Sequence, residues 1–81
     1  SVAPVETKIW VQVGAFHAKT SATAVLSRIK EVGPGEVSMV NHLGKKLYRV
    51  RLGPMVDVAM ADSILEKIVN TGFTGARIVV D

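Results

Sequence analysis

The sequence repeats itself. When the chain is slid along itself so that Gly14 falls on Gly53, Ala22 falls on Ala61, Val25 on Ile64, Leu26 on Leu65, Ile29 on Ile68 and Gly33 on Gly72. Ahead of these, Ile9, Val11 and Val13 fall on Tyr48, Val50 and Leu52. The shift is close to half of the 81 residues. Each copy therefore has about the least length that a strand, a crossover helix and a second strand require, and one such unit cannot bury its apolar face alone.

Local patterns fill in the two copies. Lys8 to Val13 reads K-I-W-V-Q-V, a strand with one buried face and one face mixed by Gln12, ended by Gly14. Ala22, Val25, Leu26, Ile29 and Val32 recur three and four residues apart and form one helical stripe. Thr20 or Ser21 can cap its start, and Gly33-Pro34 is a stop signal in which Gly33 accepts a left-handed cap. Glu36 to Asn41 reads as a second strand, followed by the turn His42-Leu43-Gly44-Lys45, with Gly44 supplying a positive φ. Lys46 to Leu52 alternates, so Tyr48, Val50 and Leu52 face one side and Leu47, Arg49 and Arg51 the other. Gly53-Pro54 ends that strand. Asp57 can cap a second helix, striped by Ala61, Ile64, Leu65 and Ile68 and stopped by Gly72, and Ala76 to Val80 is the last strand.

The order is βαββαβ. It predicts an α+β, ferredoxin-like sandwich: a four-stranded antiparallel sheet with both helices on one face. Right-handed crossovers put the first and third strands at the centre. The repeat pairs Val37 with Ala76 and Met39 with Ile78, pointing at the helices. Ser38, Val40, Arg77 and Val79 then point the other way, unless a one-residue slip at the hairpin reverses the second strand. Tyr48 is expected in the core, and Phe16 either there or flanking the free face.

Hydrophobic residues make up 48% and charged residues 21%, the balance of a globular domain, and no run approaches the roughly 18 apolar residues of a bilayer span. The absence of cysteine removes disulfides, thiolate metal sites and cysteine nucleophiles. A net charge of +3 and a pI of about 9.6 favour an anionic partner. Residues 1–7 contain Pro4 and no hydrophobic period, so they read as a linker tail ahead of a domain over residues 8–81. With no initiator methionine at Ser1, the chain is expected to be a domain of a longer protein.

Catalytic chemistry is not expected. His17 and His42 lie in different loops with no ligand-like spacing. Asp57, Asp62 and Glu66 belong to the start and outer surface of one helix, and Ser21, Ser38 and Ser63 have no histidine partner. No cofactor or metal is implied. The face without helices is the informative region, with Trp10 and Gln12 on the first strand beside Leu47, Arg49 and Arg51 on the third. Two readings stand for it. Trp10 packs on arginine stems and shields the sheet, or an exposed indole, an amide and two guanidinium forks form a binding surface for an elongated anionic ligand.

Two stretches carry a family likeness. Trp10-Val11-Gln12-Val13-Gly14-Ala15-Phe16 resembles the opening motif of SPOR (sporulation-related repeat) domains, and Tyr48-Arg49-Val50-Arg51-Leu52-Gly53-Pro54 resembles their second motif. The resemblance covers Lys8 to about Val80. It implies a non-catalytic, monomeric module that binds peptidoglycan, preferring denuded glycan strands of GlcNAc and MurNAc without stem peptides. It implies a periplasmic location at the division septum, in a parent protein that is in some cases membrane-anchored. The glycan-binding residues it implies are Gln12 and Arg49 at motif positions, with Trp10, Ala15, Phe16, Ser38, Leu47, Arg51 and Arg77 around them. Ala15 stands where many members have serine, and Leu47 where some have an aromatic.

Two rivals share the architecture. RNA-recognition modules read bases on the same sheet face, but the third strand here lacks their pair of outward aromatics. A ferredoxin-like protein-interaction domain would instead pair this sheet with a partner chain.

Overall fold

The computed structural model describes residues 7–81. The tail read over residues 1–7 falls outside the described residues except for Thr7, which is exposed and in neither helix nor strand. The elements are β1 (Ile9–Phe16), α1 (Lys19–Ile29), β2 (Gly35–His42), β3 (Lys45–Met55), α2 (Val58–Asn70) and β4 (Arg77–Val80). The sheet order is β2-β3-β1-β4 and every pairing is antiparallel. The fold is the α+β sandwich that the repeat predicts.

The core explains the repeat. Ile9, Val11 and Val13 of β1 and Val50, Leu52 and Met55 of β3 meet Ala22 and Ile29 of α1 and Ala61 and Ile68 of α2. Ala22 and its counterpart Ala61 are fully buried, small enough for each helix to lie close on the sheet. Ile29 and its counterpart Ile68 fill the space beside them, and each such buried aliphatic side chain contributes about 1.5–3 kcal/mol. What recurs along the chain is therefore a set of core contacts.

The two helices start differently. Asp57 caps α2, its Oδ1 accepting from the Ala59 N–H at 2.8 Å. The residue before α1 is Ala18, with the same extended backbone but no side-chain acceptor. The expected caps Thr20 and Ser21 already lie inside the helix, which begins at Lys19. The ends differ too. Gly72 takes a positive φ of 117° and, with Phe73, returns N–H groups to Val69 and Ile68, a Schellman closure. Gly33 does not take a positive φ; α1 ends on Lys30 in helical conformation. Asp57→Ala is expected to cost about 1 kcal/mol and roughly 4–8 °C of melting temperature. Thr20→Ala and Ser21→Ala should shift it far less, and thermal melts of the three variants check this.

Neither central strand stops where its glycine suggests. β1 runs past Gly14 to Phe16, and β3 runs past Gly53-Pro54 to Met55. Two bulges make this possible. Between the Val11–Leu52 and Ile9–Met55 pairs, β3 carries one extra residue, with Gly53 at φ 134° and its N–H bonded to the Pro34 carbonyl at 2.9 Å. Between the Gln12–Arg51 and Gly14–Val50 pairs, the extra residue is on β1. The β2–β3 hairpin has no slip, and its Leu43-Gly44 loop takes positive φ at both residues, as a type I′ turn requires.

Candidate functional site on the helix-free face

The residues of the helix-free face form rows across the sheet. Val40 of β2 lies beside Leu47 of β3. Next come Ser38, Arg49 and Ala15 on β2, β3 and β1. The third row crosses all four strands, from Glu36 through Arg51 and Gln12 to Arg77. Trp10 and Val79 form the fourth. The β1 bulge decides the membership. Strict alternation from Gln12 would turn Ala15 toward the helices, but the extra residue brings it beside Arg49. The same switch pairs Phe16 with Tyr48, and both pack against the core on the helix side. Phe16 thus takes the core alternative of its two expected places, and it does not contribute to the helix-free face as a glycan-binding residue there would.

Trp10 takes the first of the two readings open for it, packed under an arginine, and not the exposed one. It is on the helix-free side, yet it is only 6% exposed. The Arg51 guanidinium lies 4.1 Å from the indole ring centre, in cation–π contact. Arg51 reaches over Trp10 to Asp81, with Nη1 at 3.3 Å from Oδ2. Its own side chain is 7% exposed. An exposed indole plane beside two free arginines is thus not what the face presents. Among the described residues, it shows no exposed aromatic ring, because Phe16, Tyr48 and Phe73 pack on the helix side. That removes the stacking platform an RNA-recognition module needs.

The remaining polar groups are mostly donors. Arg49 is half-buried, and its Nη2 donates to Ser38 Oγ at 3.2 Å. Arg77 is exposed on the edge strand beside Gln12. Trp10 Nε1, Arg49 Nε and Arg51 Nε are buried without an acceptor among the described residues. Three orphaned N–H groups on one face are costly unless something with lone pairs meets them. Among the described residues, Asp81 bonds Arg51 and Glu36 pairs with it across the sheet, and the sequence reading missed both carboxylates. The signal was parity: Asp81 follows Arg77 and Val79 at even steps on the last strand, and Glu36 precedes Ser38 in the same way.

No group of three His, Cys, Asp or Glu that could hold a metal ion occurs among the described residues. No helix among them is long and apolar enough to cross a membrane. A hollow of about 230 Å³ lies at the start of α2, lined by Pro34, Gly53, Pro54, Met55, Val56, Met60 and Ile64. Its lining has no charged side chain.

The model of the SPOR domain family matches residues 6–78. The chain belongs to the SPOR domain family. It is a binding module and not an enzyme. Two solved structures resemble this SPOR domain along most of their length. The crystal structure of the RlpA SPOR domain from Pseudomonas aeruginosa is 26% identical with a TM-score of 0.80, over 88% of this chain and 96% of that one. The solution structure of the peptidoglycan binding domain of the B. subtilis cell wall lytic enzyme CwlC is 25% identical with a TM-score of 0.74, over 100% of this chain and 98% of that one. No curated protein matches this SPOR domain.

Proposed function

We propose that this SPOR domain binds peptidoglycan through its helix-free face, favours glycan strands stripped of stem peptides, and so directs its parent protein to the division septum in the periplasm. The observation that carries the reading is the surplus of N–H donors around Gln12 and Arg49, at the two positions that match the family motifs. The likeness to the CwlC domain, described as peptidoglycan-binding, supports the coarser part.

The chemistry suits the finer part. Removing the stem peptide frees the lactyl carboxylate of each N-acetylmuramic acid, so a denuded strand carries regularly spaced negative charges. Arg49 and Arg77 stand on either side of β1 with guanidinium donors, and Gln12 between them can both donate to and accept from acetamido and hydroxyl groups. Ser38 and Ala15 flank Arg49, and Leu47 offers a half-buried apolar spot. A charge-assisted hydrogen bond contributes about 1.5–3 kcal/mol when well made, so two of them supply at most about 6 kcal/mol before ordering costs, and micromolar affinity, about 8 kcal/mol, needs further contacts along the strand.

Co-sedimentation with intact and with amidase-treated peptidoglycan tests the reading. More domain is expected in the pellet with the treated material. Equal pelleting would remove the preference for stripped strands, and no pelleting with either would remove the function.

A further inference from the structure

The contact that hides Trp10 belongs to a group with a reason to move. Arg51 is anchored on β3, lies across β1 over the indole, and ends on Asp81 beyond β4. It therefore spans three of the four strands. Its grip on Asp81 is weak. The one bond, at 3.3 Å, is longer than the 2.7–2.9 Å usual for charge-assisted pairs, and the Asp81 side chain is 48% exposed. Arg51 Nε has no acceptor among the described residues. Asp81 itself is held where it is by its backbone N–H, which donates to the Lys8 carbonyl at 2.9 Å.

We propose that Arg51 is a strap that closes the binding face in the unliganded domain, and that a ligand carboxylate opens it by taking the place of Asp81. This rests on the glycan reading above and adds regulation to that site. In the closed state Arg51 spends a single donor on a solvated partner and covers Trp10. In the open state a ligand carboxylate engages Nε and an Nη together, the two-bond geometry that Asp81 does not provide. The indole plane and its orphaned Nε1–H are then uncovered for the adjoining sugar. The ligand has a differential interaction with the two arrangements, which is what a population shift requires. A neutral glycan lacks the group that competes with Asp81, so the strap favours anionic strands over uncharged ones of the same shape.

Trp10 is the only tryptophan in the chain, so its fluorescence reports on the strap directly. Asp81→Asn keeps the size of the side chain and removes its charge. Acrylamide quenching of the unliganded variant is expected to rise about twofold over wild type, and its affinity for amidase-stripped glycan to rise about two- to fivefold, the range for losing a half-exposed ion pair. Glu36→Gln changes the net charge equally on the same face, and it should leave quenching unchanged and tighten binding less. Wild-type quenching in unliganded Asp81→Asn would overturn the strap, and so would a gain in affinity matched by Glu36→Gln. Raised quenching without tighter binding would overturn its gating role. The quenching arm uses no ligand, so it decides the strap even if wild type fails to bind stripped glycan, a result that would count against the glycan reading.

Discussion

Gly53→Ala is expected to lower the melting temperature by about 10–20 °C, equivalent to roughly 2–4 kcal/mol for a domain of this size. Gly53 has a φ of 134°, a region that side chains other than hydrogen rarely adopt. The added Cβ would come within 2.9 Å of the Ile9 carbonyl oxygen, 3.2 Å of the Met55 nitrogen and 3.3 Å of Trp10 Cε3. Two of those atoms belong to the backbone of the central strand pair and cannot turn aside. Backbone strain of about 1–3 kcal/mol adds to that overlap. A domain of 81 residues has only about 4–12 kcal/mol to lose. Gly75→Ala is the control, because a Cβ there meets nothing within 4 Å and its φ is not positive. Thermal melts by circular dichroism decide, and a shift at Gly53 no larger than at Gly75 would refute the account.

Arg49→Glu is expected to weaken binding to amidase-stripped peptidoglycan by about 10- to 100-fold, the equivalent of one charge-assisted hydrogen bond of roughly 1.5–3 kcal/mol. Arg49 is at the middle of the helix-free face, between Ser38 and Ala15, and its Nε has no acceptor among the described residues. Reversal of its charge removes that donor and places a carboxylate against the carboxylates of the glycan. Gln12→Ala should act in the same direction and less strongly, since it loses a neutral partner. Both positions face away from the core, so melting temperatures should stay within a few degrees of wild type, on the order of 0.5 kcal/mol for a surface change. Wild-type binding by both variants would move the site off the sheet face.

The fold was legible because its information is duplicated. Ala22 with Ala61 and Ile29 with Ile68 state the same helix-on-sheet contact twice, and a pattern present twice is hard to misread. Boundaries were less legible. Gly14 and Gly53 look like strand ends, yet each lies within a strand beside a bulge, because hydrogen bonding between β1 and β3 continues beyond the irregularity. The β1 bulge also hid the true neighbours of Arg49. Alternation places Trp10, Gln12, Arg49 and Arg51 on one side correctly, but it cannot count an extra residue, so Ala15 and Phe16 exchange faces. The cover over Trp10 was invisible for another reason. It depends on Asp81 lying next to Lys8 in space, a contact between the two ends of the described chain that no local pattern contains.

The neighbourhood of Lys8 and Asp81 has a mechanical side. β1 is central and is gripped by β3 and β4 together, so tension entering through Lys8 along the strand has to shear two ladders at once. Tension entering through Asp81 falls on β4, a four-residue border strand with a single neighbour, which can peel one bond at a time. A module clamped to a rigid wall would therefore hold a heavier load on a tether that approaches Lys8 than on one that departs from Asp81.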